Sequence, residues 1–129
     1  MKIFSHPLLV QFKHSIQTKT HLYIITELCE GKDLFEYVKD YSCLPEYEAS
    51  LILQQVILGV MYMHNLGIIH RDLKPENIMV STDNGHVGKI KIIDFGFANY
   101  LDTLEQLPPE GLFCSILEVL AGTPNYIAP

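Results

Sequence analysis

Two polar motifs set the strongest limit on what this chain can fold into. The first is the run His70–Asn77, which follows a long segment with a helical pattern, and the second is Asp94–Gly96, which follows a predicted strand. Together they place two aspartates, a lysine and an asparagine in a fixed order and spacing. A coincidental polar loop gives no chemical reason for such a set, so we interpret the two motifs as the candidate functional segments of the chain.

The residues around the motifs predict a chain that mixes helices and strands. In the first 28 residues, the apolar runs Leu8–Val10 and Leu22–Ile25 flank the polar stretch Gln17–Thr20, which predicts two strands joined by a turn. We interpret Gly31 as a hinge-like break, after which Asp33–Lys39 begins a short helix. The predicted apolar face of that helix carries Leu34, Phe35 and Val38.

A longer helix is predicted to begin at Pro45. Proline suits the first helical position because its missing N–H has no partner there, and Glu46 and Glu48 in the first turn complement the helix dipole. The helix is expected to end near His64–Gly67. Apolar residues recur along it at spacings of three and four, namely Ile52, Leu53, Val56, Ile57 and Val60.

Two further strands, Ile78–Val80 and Ile90–Ile93, are predicted on either side of the turn-rich segment Ser81–Gly85. Beyond Asn99 the periodic pattern fades. The Pro108–Pro109 pair in this stretch favours a long loop that reaches Ala121.

The composition excludes several classes of protein. With 129 residues, 48% of them hydrophobic and 19% charged, the chain has the makeup of a folded domain and not of a disordered or coiled-coil chain. A formal net charge of −6 disfavours a nucleic-acid partner. Cys29, Cys43 and Cys114 have no disulfide or metal-ligand spacing, so we expect an intracellular, cytoplasmic location. The most apolar stretch, Leu51–Met63, is too short to cross a bilayer, and no membrane segment is predicted.

The run His70–Asn77 resembles the catalytic loop of the eukaryotic protein kinases, and Asp94–Gly96 resembles the metal-binding turn of the same family. The resemblance implies an α+β fold of two lobes, with ATP bound at the hinge between them. It further implies that Asp72 is the base that orients the acceptor hydroxyl. Asn77 and Asp94 are then the residues that hold Mg²⁺ over the phosphates.

Two other features of the resemblance indicate serine or threonine as the phosphate acceptor. Lys74 matches the lysine with which serine/threonine kinases steady the transferring phosphate, a position at which tyrosine kinases usually differ. Gly122–Pro129 resembles the substrate-docking segment of the family, in which Thr123 is expected to hydrogen-bond Asp72 and Lys74. The implied partner is a protein substrate with a serine or threonine acceptor.

The resemblance also implies which residues contact the nucleotide. Thr26 falls at the gatekeeper position, and Glu27 and Cys29 match hinge residues whose backbones hydrogen-bond adenine. Met79 matches the apolar floor under the adenine, although ordinary core packing would explain an apolar residue there as well. Asp33 matches an acidic position near the ATP ribose, but it is equally a candidate N-cap of the short helix.

Substrate preference and subgroup are less constrained. Asp33 and Glu76 match acidic positions that, in basophilic kinases, meet arginines upstream of the acceptor, which predicts substrates with upstream basic residues. Lys89–Ala98 is similar to the calcium/calmodulin-dependent kinase group, whereas Gly122–Tyr126 also occurs in polo-like kinases. The sequence leaves the oligomeric state open.

The resemblance covers all 129 residues and divides them into 1–26 as the end of the N-lobe, 27–31 as the hinge and 32–129 as the C-lobe through the activation segment. The family's Gly-rich phosphate loop, strand lysine and helix glutamate have no counterpart in these residues. We therefore expect a central fragment of a kinase domain that is inactive alone, while the full-length protein phosphorylates proteins.

The activation segment departs from the family pattern. Arg71 matches the arginine that pairs with a phosphorylated loop residue, but Val119 stands where many relatives carry the phosphorylated threonine. Ser115 or Thr103 could accept the phosphate instead, or Glu118 could supply a permanent charge. A loop that is never phosphorylated is the remaining alternative.

Two other functional classes stay open. One is a catalytically dead, kinase-like binding scaffold, against which the intact set of Asp72, Lys74, Asn77 and Asp94 argues. The other is a small-molecule kinase of similar fold, which the segment Gly122–Pro129 disfavours.

Overall fold

The structure, a computed structural model, describes residues 5–41, 43–100 and 122–126. It contains both helices and strands, as the sequence predicts, with strands before and after the two helices. Two single 3₁₀ turns, Pro75–Asn77 and Pro124–Tyr126, complete the described part. In chain order the elements are β1 (Phe12–Gln17), β2 (Leu22–Thr26), β3 (Lys32–Asp33), α1 (Leu34–Tyr41), α2 (Glu46–Asn65), β4 (Ile68–Ile69), β5 (Ile78–Asp83), β6 (His86–Ile92) and β7 (Asn99–Tyr100).

The predicted N-terminal hairpin is present, but the prediction of its first strand is wrong. β1, and not Leu8–Val10, pairs with β2, so that Ile16 lies opposite Tyr23. Leu8–Val10 is buried and runs beside β6, where the Ile92 N–H donates to the Leu8 carbonyl at 2.8 Å. Three consecutive apolar residues favour a site that is buried on all sides, whereas β1 is exposed along nearly its whole length.

β5 and β6 form the hairpin that carries the second motif. They pair antiparallel, with β3 on the other side of β5. The turn between them contains Asn84 and Gly85, both at positive φ, as a two-residue turn of the primed type requires. Ile78 lies opposite Ile92, and the Ile93 N–H donates to the Asn77 carbonyl at 2.9 Å. This register brings the end of the first motif beside the start of the second.

α2 covers β6 and supplies much of the core. It begins directly after Pro45 and ends at Asn65, within the predicted range. Only part of the predicted apolar stripe is buried, because Leu53 and Ile57 lie on the side of the helix away from β6 and are 58% and 47% exposed. No helix in the described ranges combines the length and apolarity needed to cross a membrane. The buried apolar residues are Leu8, Leu9, Val10, Tyr37, Ile52, Met63, Ile68, Ile78, Val80, Ile90 and Ile92.

α1 begins where the sequence predicts but buries a different face. The Asp33 carboxylate accepts a hydrogen bond from the Glu36 N–H at 2.8 Å, which is the geometry of an N-cap. Tyr37 is the buried residue of the helix, whereas Phe35 and Val38 are exposed, so the predicted face is wrong for these two. A tyrosine buries its ring only where its hydroxyl finds a partner, and that partner is Glu48 of α2.

Glu48 joins both helices to the tip of the β5–β6 hairpin. Its carboxylate is 2% exposed and accepts hydrogen bonds from the hydroxyls of Tyr37 (3.0 Å) and Tyr47 (2.9 Å), while the His86 ring nitrogen lies 3.3 Å away. Burial alone would raise the pKa of Glu48, but the hydrogen bonds from Tyr47, His86 and Tyr37 outweigh it and lower the pKa. The ionised form of Glu48 therefore stabilises the fold.

We expect Glu48→Gln to be less stable than the wild type at pH 7, with a difference that shrinks on acidification. Because the folded-state pKa is lowered, the stabilisation is present above the unfolded-state pKa, about 4.3, and is lost as the pH falls through the folded-state value. Urea unfolding between pH 7 and about pH 3 measures the difference. Glu46→Gln, at an exposed position of the same helix, is the control. A difference that does not change with pH would contradict the prediction.

The described elements fall on both sides of residues 27–31. β1 and β2 lie before this segment, and the other helices and strands lie after it. The division into 1–26, 27–31 and 32–129 stays a prediction.

Candidate active site

A cleft of about 440 Å³ lies between the β1–β2 hairpin and the end of the β5–β6 hairpin. Of the residues predicted to contact the nucleotide, Thr26, Glu27, Cys29 and Met79 line it, and so does the predicted metal ligand Asp94. Asp33 is not among the lining residues. It pairs with Met79 across β3 and β5, so it lies next to the cleft, but its carboxylate caps α1.

The four predicted catalytic residues form one hydrogen-bonded cluster. The Thr123 hydroxyl donates to Asp72 Oδ1 at 2.7 Å, and Lys74 Nζ donates to the Thr123 oxygen at 2.6 Å. Lys74 Nζ also lies 3.0 Å from Asp72 Oδ2, which accepts a further hydrogen bond from Asn77 Nδ2 at 3.0 Å. Residues about 50 positions apart in the chain thus converge on a single carboxylate.

The cluster keeps the Asp72 carboxylate charged although it is buried. The side chain of Asp72 is 1% exposed, and burial alone would raise its pKa. The hydrogen bonds from Thr123 and Lys74 outweigh that effect and hold the pKa of Asp72 below its usual value. The same contact with Asp72 raises the pKa of Lys74. Both groups are therefore ionised at neutral pH.

His70 connects the catalytic cluster to the Asp94–Gly96 turn. The Asp72 N–H donates to His70 Nδ1 at 3.3 Å, so Nδ1 accepts, and Nε2 lies 3.0 Å from the Ile93 carbonyl, so Nε2 carries the proton. Burial lowers the pKa of His70, and its ring centroid lies 5.0 Å from that of Phe95. A neutral ring with both nitrogens committed suits packing against Phe95 and not proton transfer.

Asn77 and Asp94 present an oxygen-only donor set. The Asn77 amide nitrogen donates to the backbone carbonyl and the carboxylate of Asp72, so the amide oxygen is the side-chain atom of Asn77 that could ligate a metal. Asp94 is exposed, has a φ of 57° and accepts a hydrogen bond from the Gly96 N–H at 3.1 Å on one carboxylate oxygen. In the described part of the chain no group of three or more His, Cys, Asp or Glu residues could hold a metal alone. Two oxygen ligands fit Mg²⁺, which usually completes its shell with waters and substrate phosphates.

A comparison with known sequences decides the family of the chain. A family model described as the protein kinase domain matches residues 1–129. This chain belongs to the protein kinase family. The predicted family and the α+β fold are thereby confirmed, and kinases of this family use ATP and a divalent metal ion and act on protein substrates.

Curated relatives of this kinase chain include serine/threonine kinases from distant organisms. The serine/threonine-protein kinase GIN4 of Saccharomyces cerevisiae is 40% identical over 129 residues, which are all of this chain and 10% of that protein. The CBL-interacting serine/threonine-protein kinase 8 of Arabidopsis thaliana is 40% identical over 129 residues, all of this chain and 26% of its own length. Sperm motility kinase 3A of Mus musculus is 42% identical over 124 residues, 92% of this chain and 23% of that protein. The chain thus spans about a quarter or less of the length of these relatives.

The structure adds contacts of the kinase site that the sequence did not predict. Glu27 accepts hydrogen bonds from Lys91 Nζ at 2.5 Å and from the Gln11 N–H at 2.9 Å, and the hydrogen bond from Lys91 lowers the pKa of Glu27. Burial raises the pKa of the Cys29 thiol. No motif or spacing in the sequence signals the contact between Lys91 and Glu27.

The predicted regulation of the activation segment stays a prediction. Arg71 donates from Nε to the Phe97 carbonyl at 2.7 Å, which ties the catalytic loop to the residues after Gly96. The candidate positions Thr103, Ser115, Glu118 and Val119 lie outside the described residues.

Proposed function

We propose that the full-length protein, meaning the polypeptide in which this chain occurs, transfers the γ-phosphoryl group of ATP to serine or threonine residues of proteins. The observation that carries the proposal is the cluster of Asp72, Lys74, Asn77 and Thr123 around one buried carboxylate. The serine/threonine kinases among the relatives support the choice of acceptor.

Asp72 is the group that we assign to the acceptor hydroxyl. An ionised carboxylate has about four lone-pair sites, and the side chains of Thr123, Lys74 and Asn77 and the Thr123 backbone all contact this one. A substrate hydroxyl that displaces one of these contacts can donate a hydrogen bond to Asp72, which orients the hydroxyl oxygen and takes its proton as the new bond forms. Because the pKa of Asp72 is lowered, orientation contributes more than early proton removal.

Lys74 is the cation that we assign to the transferring group. Its ammonium has three protons, of which one is directed at Asp72 and one at Thr123. The third can be donated to a phosphoryl oxygen. Since Asp72 and Thr123 fix the ammonium in place, little reorganisation is needed when charge develops during transfer.

The nucleotide and its metal are assigned to residues of the cleft and to Asn77, which lies outside it. Bound MgATP supplies the phosphoryl group and a divalent charge that neutralises the phosphates. We propose that Asn77 and Asp94 hold the Mg²⁺, and that the hinge backbone at Glu27 and Cys29 binds the adenine above Met79. The Glu27 N–H already donates to the Gln11 carbonyl at 2.9 Å, so the Glu27 carbonyl, which accepts from the Thr26 hydroxyl at 3.2 Å and keeps a second lone pair, is the group left to meet the base. Asp33 is proposed to contact the ribose in addition to capping α1.

The cleft also indicates what the described residues do not supply. No lysine or arginine is among the described side chains that line it. Lys74 is assigned to the transferring group alone, and protein kinases hold the other ATP phosphates with a further lysine besides the metal. We therefore propose that transfer requires residues outside the described part, and that the 129-residue chain alone is inactive.

The location of the protein is a proposal as well. We propose that it is intracellular and cytoplasmic, and the free thiols of Cys29 and Cys43 support a reducing compartment.

The test of the proposed function is γ-phosphate transfer by the full-length protein from labelled ATP to matched peptides that carry serine, threonine or tyrosine. We expect transfer to serine and threonine and not to tyrosine. Peptides with and without arginine upstream of the acceptor test the proposed roles of Asp33 and Glu76 in substrate preference. Transfer to an aminoglycoside instead would indicate a small-molecule kinase, and no transfer at all would indicate a kinase-like scaffold.

A further inference from the structure

The edge of β6 that does not pair with β5 is hydrogen-bonded by a side chain of α2. Gln55 Oε1 accepts a hydrogen bond from the Ile90 N–H at 3.1 Å, and Gln55 Nε2 donates to the Gly88 carbonyl at 3.1 Å. An adjacent strand would make the same two bonds. A primary amide reproduces them because it holds one acceptor and one donor group in a plane, as a peptide unit does.

The opposite edge of β6, which pairs with β5, is hydrogen-bonded by a second side chain next to the same residues. The pairing of β5 with β6 is irregular between Val80 and Thr82, and Ser81 lies at that irregularity. The Ser81 hydroxyl accepts from the Lys89 N–H at 3.0 Å and donates to the Lys89 carbonyl at 2.9 Å. Residues 88–90 are therefore fixed from both sides where the regular ladder is interrupted.

The position of Asp94 depends on the register of this strand. β6 runs from His86 to Ile92 and leads directly into Asp94. A slip of one residue would turn each side chain to the opposite face of the sheet. We infer that Gln55 is a positioning residue for Asp94. Gln55 connects α2, the helix before the catalytic loop, to β6, the strand that leads to the proposed metal ligand. The inference rests on the proposed function, because it takes Asp94 as a ligand of Mg²⁺.

The test compares Gln55→Met with Gln54→Met in the full-length protein. Methionine keeps the length and helix preference of glutamine but makes neither bond to β6. Gln54 is the matched control, since it is exposed, lies on the same helix and bonds only Ser50 Oγ at 3.3 Å among the described contacts. Binding of ADP is titrated with Mg²⁺ by calorimetry, and binding of adenosine is measured separately.

We expect Gln55→Met to raise the Mg²⁺ concentration for half-maximal ADP binding by about tenfold, the change that 1.4 kcal/mol produces. Adenosine binding should stay unchanged, because adenosine has no phosphate to share the metal with Asp94. A general loss of structure would weaken both ligands equally and would overturn the inference. So would equal behaviour of the two variants, or ADP binding by the wild type that does not depend on Mg²⁺.

Gln55→Glu keeps the test decisive if Gln55→Met does not fold. Glutamate retains an acceptor for the Ile90 N–H but loses the donor to the Gly88 carbonyl, so its Mg²⁺ requirement should lie between those of the wild type and Gln55→Met. Gln54→Glu is the control for the added charge. Because binding is measured, a wild type that binds Mg·ADP without transferring phosphate would overturn the proposed function and leave this inference testable.

Discussion

Replacing Asp72 by asparagine should lower the rate of phosphoryl transfer by about 10²- to 10⁴-fold. The variant keeps the shape of the side chain but loses the negative charge that Thr123, Lys74 and Asn77 surround. An asparagine also brings an N–H₂ group to a place where donors from Thr123, Lys74 and Asn77 already converge, so at least one donor loses its acceptor. The measurement is the turnover of labelled ATP on a serine peptide by the full-length protein.

Because Asp72 lies outside the cleft, the prediction separates an effect on turnover from an effect on ATP binding. Asp72 is not among the residues that line the cleft, so the KM for ATP should change little while kcat falls. Asp83→Asn is the control, since Asp83 is an exposed aspartate at the end of β5 and its replacement should leave both constants unchanged. An Asp72→Asn variant that keeps more than about a tenth of the wild-type turnover would refute the assigned role.

The parts of the site that the sequence could predict are those that lie within ordered motifs. Asp72, Lys74 and Asn77 share one loop, and the docking segment led to the contact of Thr123 with Lys74 and Asp72 although about 50 residues separate them. Such motifs can be recognised in a sequence because the chemistry requires particular groups at particular spacings. Their roles stay proposals, but their convergence is a structural fact.

The parts that could not be predicted are contacts that depend only on the fold. Gln55 and Ser81 bond backbone groups of β6, and no residue type or spacing near them signals which strand will need a partner. Glu48 looks like an ordinary acidic residue in the first turn of a helix, yet it is buried beneath two tyrosine hydroxyls. Tertiary packing decides these contacts, and periodicity in the sequence carries no information about it.

The wrong predictions about the fold have the same cause, since tertiary contacts decided them. A short apolar run such as Leu8–Val10 suits a hairpin strand or a buried segment, and only its contact with Ile92 distinguishes the two. In α1 the apolar pattern predicted that Phe35 and Val38 are buried. The structure buries Tyr37 instead, because its hydroxyl donates a hydrogen bond to Glu48. Polar partners can therefore override the apolar pattern of a short helix.

Among the positive-φ glycines Gly31, Gly67 and Gly85, an added methyl group should be most destabilising at Gly31. Gly31 has a φ of 103°, and an added Cβ would lie 2.0 Å from the Val80 carbonyl oxygen and 2.8 Å from the Val80 carbonyl carbon. Both atoms are backbone, so no side-chain rotation relieves the clash. We expect the free energy of unfolding to fall by about 3–5 kcal/mol, the sum of a left-handed conformation and a severe overlap.

Gly67→Ala separates the two contributions. Gly67 has a φ of 69°, but an added Cβ there meets no atom within 4 Å, so only the conformational cost of about 1–2 kcal/mol applies. Urea unfolding of both variants gives the difference, and equal losses would show that Val80 can move away. The clash also bears on function, since Lys32 pairs with Val80 and Asp33 with Met79 in the same short ladder. Displacing that ladder moves Met79 in the cleft, so Gly31→Ala should weaken adenosine binding while Gly67→Ala should not.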